Sequence, residues 1–236
     1  MAGHILGAVG MTFQPFDYGA VPYAGLPVWR RLSRRLLVFV LRRLVRLEAS
    51  GLEHLPEAGP YVLAANHLHV LDSALGLLLV PGRVVGVAKD YWSRPPFGWV
   101  IAAMGDVVYV GPRRRNAMRR LVAELRAGAV VAILPEGTRS PTGALIRGQR
   151  GAAALATAAG VPVVPAAAWG QERGMVSWTR LRRAPVRVRV GPALSLPAGP
   201  HDRASLDALT DEVMHAIAAL LPPEYRGVYG EAEGAM

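Results

Sequence analysis

The sequence predicts an α/β domain, a layered sheet of mostly parallel strands flanked by helices, with a basic amphipathic helix ahead of it. Three observations carry this. Short Val- and Ala-rich runs alternate with helix-length amphipathic segments along residues 60–220, the pattern of a layered domain rather than a bundle or sandwich. Gly and Pro punctuate most of the junctions between them. Residues 28–47 mix leucine and valine with seven arginines and no acid.

Residues 1–27 carry Gly and Pro throughout and read as irregular, without the basic leader of a signal peptide. Residues 28–47 read as a helix that begins near Trp29. Its longest uncharged run is 36–41, too short for a span of about 20 apolar residues. Arginines and apolar groups on one helix suit a bilayer interface; a packing helix on the domain surface is the plainer alternative. Then come a buried strand at 60–65, a helix at 72–79 ended by Pro81-Gly82, a strand at 83–88, a short helix at 96–104 and a strand at 106–110. A helix at 116–126, punctuated by Gly128, leads to a strand at 129–134, a helix at 149–159 and a strand at 161–168. Residues 151–171 are uncharged, but Gly160, Pro162 and Pro165 break them into a helix and a strand rather than a membrane span. At 185–190, Val186, Val188 and Val190 alternate with Arg187 and Arg189, which predicts a strand at a sheet edge. Leu206, Leu209, Val213, Ile217 and Leu220 mark a last amphipathic helix, closed by Pro222-Pro223. The expected organisation is 1–50 for the irregular start and basic helix, 51–225 for the main domain and 226–236 for a tail.

The chain has 236 residues, 52% of them hydrophobic, enough for one sizeable core. It has no cysteine, which excludes a Cys nucleophile, a thiolate metal site and a disulfide framework. Its net charge of +10 comes almost wholly from arginine, Lys89 being the only lysine, and implies an anionic partner. Nucleic acid is set aside, because no Arg-rich segment carries interleaved stacking aromatics and no DNA-binding motif is present. A phospholipid surface or an acidic protein remains.

Two loops hold the groups able to do chemistry. Asn66-His67-Leu68-His69-Val70-Leu71-Asp72-Ser73 follows the strand at 60–65, and Pro135-Glu136-Gly137-Thr138-Arg139-Ser140 follows the strand at 129–134. Active sites of such folds gather at the carboxyl ends of strands. Histidine suits proton removal near neutral pH, and a carboxylate on one ring nitrogen fixes its tautomer. A turn from strand to helix would let Asp72, at the helix start, reach His67. The plainer alternative is an Asp that caps a helix and a His satisfied by backbone. Gly137 allows close approach of backbone to a ligand, Arg139 offers a planar fork for phosphate, and Thr138 and Ser140 add hydroxyls.

Taken together, the loops resemble the glycerol-phosphate and lysophosphatidic acid acyltransferase family, whose marks are Asn-His-x-x-x-x-Asp-Ser and, later, Pro-Glu-Gly-Thr-Arg-Ser. Both are complete here, the resemblance covers about residues 51–192, and 161–165 also looks like the family's later hydrophobic motif. The resemblance implies an O-acyltransferase of phospholipid synthesis. His67 would be the general base and Asp72 its orienting carboxylate. The hydroxyl of lysophosphatidic acid or a related lysolipid would attack the thioester of acyl-CoA or acyl carrier protein directly, without cofactor or metal. Glu136, Gly137, Thr138 and Arg139 would bind the acceptor's phosphate-bearing end and help shape the site, with Arg113 also able to meet that phosphate and Lys89 as a weaker candidate. The chain departs from the family at 108–113, where the usual Asp-Arg lacks its Asp and the Arg is displaced to Arg113. That departure bears on the acceptor rather than on the chemistry. The resemblance also implies work at a membrane phospholipid surface, as a peripheral or monotopic protein on the cytoplasmic face.

Two other functions are compatible with the residues. A metal-dependent hydrolase could use His67, His69 and Asp72, although the Asp falls one place late for the His-x-His-x-Asp-His pattern and Ser73 replaces its last His. A noncatalytic protein that binds anionic lipid would need only the basic helix. Trp92, Trp99, Trp169 and Trp178 are expected in the core, or else at an acyl tunnel or the interface.

Overall fold

In the computed structural model, residues 12–18, 27–69, 71–80, 82–179 and 182–230 are described. Most of the irregular start and residues 231–236 lie outside them. The order along the chain is β1 (Gln14–Pro15), α1 (Val28–Leu44), β2 (Val45–Ser50), β3 (Tyr61–Ala65), α2 (Leu71–Leu79), β4 (Val84–Lys89), α3 (Phe97–Met104), β5 (Asp106–Val110), α4 (Arg114–Arg126), β6 (Val130–Ile133), α5 (Gly151–Ala159), β7 (Val163–Trp169), α6 (Gly174–Thr179), β8 (Ala184–Val190) and α7 (Arg203–Leu220). The strands form one sheet ordered β1-β2-β8-β7-β3-β6-β4-β5. The five strands from β7 to β5 are parallel, so β3, β6, β4 and β5 all deliver their following loops to one edge.

Helices cover both faces. On one, Val62, Ala64, Val85, Val131 and Val163 pack beneath Leu121 and Leu125 of α4, Leu155 of α5 and Val213, Met214 and Ile217 of α7. On the other, Val186, Val188 and Ala168 meet Val38 and Leu41 of α1 and Leu75 and Leu78 of α2. All seven residues of β7 are buried, which is why it reads as an unbroken apolar run rather than an alternating one. The chain folds as the alternation of strands and helices predicts.

Two expectations are corrected. The basic helix does not reach residue 47; it stops at Leu44, and Val45–Ser50 pairs in parallel with β8, Val45 opposite Ala184. The period changes there from helical to alternating: Val45, Leu47 and Ala49 turn inward while Arg46 turns out. The second correction concerns β8, which is not an edge strand but lies between β2 and β7. Its alternation reflects an open face rather than an open edge. Arg187 pairs there with Glu48 of β2 at 3.1 Å, and Arg189 lies over the rings of Phe13 and Trp169.

The N-terminal helix is tied to the far end of the sheet by charge. Arg30 bonds Asp106 at the start of β5, Asp106 bonds Arg83, and Arg83 bonds Glu124 of α4. The Arg30 hydrogen bond, with help from Arg83 and against the effect of burial, holds the Asp106 carboxyl below the usual carboxylate range. At the other end of the chain, Tyr229 is buried, and its hydroxyl accepts from Gly148 N–H and donates to Asp211.

Candidate active site

β3 and β6 are neighbours in register, Ala64 opposite Ile133, so the loops after them emerge side by side. The first is anchored before its chemistry begins. Asn66, buried, donates to Ala168 C=O and accepts from Ala168 N–H, both at 2.8 Å, and so replaces a rung of the sheet between β3 and β7. His67 follows at once, held on rigid backbone.

The chain then turns into α2, and Asp72 in its first turn points back. Asp72 Oδ2 lies 2.9 Å from His67 Nδ1 and also accepts the backbone N–H groups of Leu68 at 2.7 Å and His69 at 2.8 Å. Three contacts on one oxygen pin its direction. Because the carboxylate accepts, Nδ1 carries the ring proton and Nε2 keeps its lone pair. Asp72 is 6% exposed, whereas His67 is half-buried and reaches solvent. The expectation that a strand-to-helix turn brings this pair together is met by the geometry.

The second loop braces the first from below. Glu136, 2% exposed, accepts His67 backbone N–H at 2.6 Å on one oxygen and Ile146 N–H at 3.1 Å on the other. Burial pushes its carboxyl above the usual range, and the two backbone N–H groups oppose that push. Both oxygens accept, so the anion is the form that fits. Ser140 N–H donates in turn to His67 C=O at 2.9 Å, so both peptide groups of His67 are fixed by this loop. Gly137 has φ +68°, and a Cβ there would stand 2.3 Å from Gln149 Nε2, whose side chain donates to Glu136 C=O. A side chain there would be strained and would displace the Gln149 amide, so the turn favours glycine. Glu136 therefore lies under the site rather than at its mouth, while Thr138 and Arg139, beside it, are exposed.

The remaining candidates share the same edge at increasing distance. Lys89 ends β4, two strands from β3 and so about 10 Å across the sheet, and Arg113 follows β5, three strands away at about 14 Å. Both are exposed. His69 Nδ1 accepts Leu71 N–H, and its ring meets Trp178 edge to face. Among the described residues no three His, Asp or Glu side chains converge as metal ligands would, which leaves the His67, His69 and Asp72 hydrolase reading without a ligand set. One residue of the site escaped sequence reasoning. Gln171, 0% exposed, donates to Asp72 Oδ1 at 2.9 Å from the short turn that follows β7. The tryptophans divide: Trp169 is buried in the core, Trp178 donates to Leu44 C=O, and Trp99 is exposed, outside the core that is the first expectation for it.

The arrangement is a polarised imidazole on a braced loop, open to solvent and next to an exposed arginine. Comparisons with known proteins bear on the family. The profile of the Acyltransferase family matches residues 46–169, which contain both loops. A 1-acyl-sn-glycerol-3-phosphate acyltransferase of Pseudomonas aeruginosa is 30% identical over 190 residues, covering 77% of this chain and 73% of the relative. The human 1-acyl-sn-glycerol-3-phosphate acyltransferase alpha is 29% identical over 192 residues, covering 78% of this chain and 67% of the relative. In fold, the chain resembles the crystal structure of a 1-acyl-sn-glycerophosphate acyltransferase from Thermotoga maritima, with a TM-score of 0.57 and 24% identity over 78% of this chain and 74% of that one. With a matching profile over more than half its length and both loops intact, the chain is an enzyme of the acyltransferase family.

Proposed function

We propose that the enzyme acylates the free hydroxyl of 1-acylglycerol-3-phosphate, or a closely related lysolipid, from an acyl thioester of coenzyme A or carrier protein. The observation that carries the mechanism is the 2.9 Å contact between His67 Nδ1 and Asp72 Oδ2, which leaves Nε2 able to accept a proton. The acceptor O–H gives its proton to Nε2 as its oxygen attacks the thioester carbonyl carbon. The tetrahedral oxyanion collapses, the C–S bond breaks, and the leaving sulfur takes the proton back from the imidazolium. Ester and free thiol result. No enzyme nucleophile is needed, in keeping with a chain that contains no cysteine. Arg139, with Thr138 beside it, is placed to meet the acceptor phosphate, and Lys89 and Arg113 supply further positive charge along the same edge. Glu136 and Gly137 serve by shaping the loop.

A lipid acceptor calls for a lipid surface, and one face of the molecule suits it. Trp29, Leu32, Leu36, Phe39 and Val40 form an exposed apolar stripe along α1, with Arg31, Arg35 and Arg42 along its flank. α3 packs against α1 and exposes Phe97, Val100 and Trp99, the last 72% exposed. Exposed apolar and aromatic groups rimmed by arginine suit anionic phospholipid. No helix among the described residues is long and apolar enough to cross a membrane; the exposed apolar face is what favours a place on the bilayer surface, and we put it at the cytoplasmic leaflet.

One assay tests the whole reading. Thiol release should require lysophosphatidate, and a lysolipid without the phosphate should react at least tenfold more slowly. The triple variant Leu36→Ser, Phe39→Ser, Trp99→Ser should lose most of its rate on lysophosphatidate in anionic vesicles yet keep it with a short-chain, water-soluble acceptor. Equal rates with and without the acceptor phosphate would defeat the assignment.

A further inference from the structure

We infer that Gln171 is a positioning residue of the acyl-transfer reaction: its buried amide holds the outer oxygen of Asp72, and through Asp72 it sets the direction and basicity of His67. The inference rests on the general-base role proposed for His67.

Asp72 has two oxygens with different tasks. Oδ2 collects His67 Nδ1–H and two loop N–H groups, and Oδ1 receives Gln171 Nε2 at 2.9 Å. The amide's orientation is fixed by its surroundings. Nε2 faces Asp72 Oδ1 and, at 3.2 Å, Ala168 C=O, and both can only accept. Oε1 is thereby turned to the other side, where it is buried and has no hydrogen-bond partner among the described residues. A buried acceptor left unsatisfied is unfavourable for the fold, and it persists here on the side chain that secures the carboxylate.

The support runs back into the sheet. Ala168 C=O, which takes the second N–H of Gln171, also takes the Asn66 amide, and Asn66 is the residue just before His67. Imidazole, carboxylate and glutamine are thus linked in sequence by hydrogen bonds, and the shared Ala168 C=O returns the chain of contacts to Asn66, the covalent neighbour of His67. Gly170 makes the approach possible: its φ is +92°, and a Cβ there would stand 2.2 Å from Pro185 C=O. Next along the chain, Glu172 turns away, accepting Gly170 N–H and the Tyr225 hydroxyl, and so leaves the pocket to the neutral amide.

A donor on Oδ1 tempers the carboxylate. Without it, Asp72 would hold the imidazole proton more tightly, and the ring would be less constrained. Other groups near the ring remain in place in a Gln171 variant: Glu136 beneath the His67 backbone, His69 in the same loop and exposed Arg139 across it. A change in the pH profile would therefore report the Gln171 contact.

The test is kcat, KM and the pH profile of kcat/KM for Gln171→Leu and Gln171→Glu, with His67→Ala in parallel. Gln171→Leu should lower kcat about 10- to 100-fold with acceptor KM changed less than threefold, and should move the acid limb to higher pH. Gln171→Glu should keep activity on the acid side, where the introduced carboxyl can still donate, and lose it on the alkaline side as that carboxyl ionises. If Gln171→Leu does not fold, the alkaline loss in Gln171→Glu decides. A folded Gln171→Leu with wild-type kcat and an unmoved acid limb, or a Gln171→Glu with a wild-type alkaline side, overturns the inference while an inactive His67→Ala leaves the general-base role standing. Full activity in His67→Ala would instead remove that role and the inference with it.

Discussion

His67→Ala should lower kcat by about 10³-fold at neutral pH, with the fold intact and acceptor KM little changed. The backbone N–H and C=O of His67 keep their bonds to Glu136 and Ser140 when the ring is removed, so the loop stays held. What the truncation removes is the acceptor for the hydroxyl proton. The secondary glycerol hydroxyl of the acceptor is a poor nucleophile until that proton is shared, and no other nitrogen base in the loop is directed by a carboxylate, since His69 Nδ1 is occupied by Leu71 N–H. Asp72→Asn should cost nearly as much for a different reason. The amide could present N–H to His67 Nδ1, which would force the proton to Nε2 and leave the ring unable to accept. It would also set an N–H donor against Leu68 and His69 N–H groups, so some loss of stability should accompany the loss of rate. Steady-state kinetics together with thermal unfolding separates the two effects. A noncatalytic lipid-binding protein would be indifferent to both substitutions.

Glu136→Ala should be the most destabilising single change at the site, by about 3–5 kcal/mol, and should abolish turnover in whatever fraction remains folded. Glu136 lies under His67 with one oxygen on His67 N–H and the other on Ile146 N–H. Its removal leaves two partly buried donors without their acceptor and opens a void beneath the base. Glu136→Gln preserves the volume and isolates the chemistry. Its single carbonyl can serve one of those N–H groups, and its NH₂ must face the other. Stability should fall by about 1–3 kcal/mol and kcat by about 10- to 100-fold, because the His67 peptide is no longer held. Arg139→Ala, by contrast, should raise acceptor KM and leave stability unchanged, since Arg139 is exposed. Denaturant unfolding beside initial rates checks both. A Glu136→Gln enzyme with wild-type kcat would mean that the brace is not needed.

Both loops were legible in the sequence because each begins on the residue after an apolar run, and a polar cluster in that position has nowhere to go but the sheet's carboxyl edge. The order of their chemistry was legible less fully. Glu136 is expected from the sequence both to bind the acceptor and to help shape the site, but which groups it braces is not legible, because His67 N–H and Ile146 N–H belong to segments 69 and 10 residues away in the chain. Gln171 had no local signal at all. It stands 99 residues from Asp72 and meets it only because β7 pairs with β3, and the sequence does not state that pairing. The strand β2 was hidden in the tail of a helical pattern, since Val45, Leu47 and Ala49 continue the apolar character of α1 while changing its period. β8 was misplaced because an arginine-alternating strand looks the same whether its edge or its face is open. Asn66 shows the limit well: the sequence marked it, but only the structure gives it the two hydrogen bonds to Ala168 that hold the loop at its height.

The claim on which the mechanism stands is that the His67 imidazole, in the resting enzyme, keeps its proton on Nδ1 against Asp72 and presents a bare Nε2 to the acceptor. The ¹⁵N resonances of the His67 ring, assigned by comparison with His67→Ala and followed through neutral pH, report this directly. The account predicts a protonated, strongly hydrogen-bonded Nδ1 and a pyridine-like Nε2, with the Nδ1 signal altered in Asp72→Asn. A neutral ring with its proton on Nε2, or spectra that do not respond to the loss of Asp72, would contradict it.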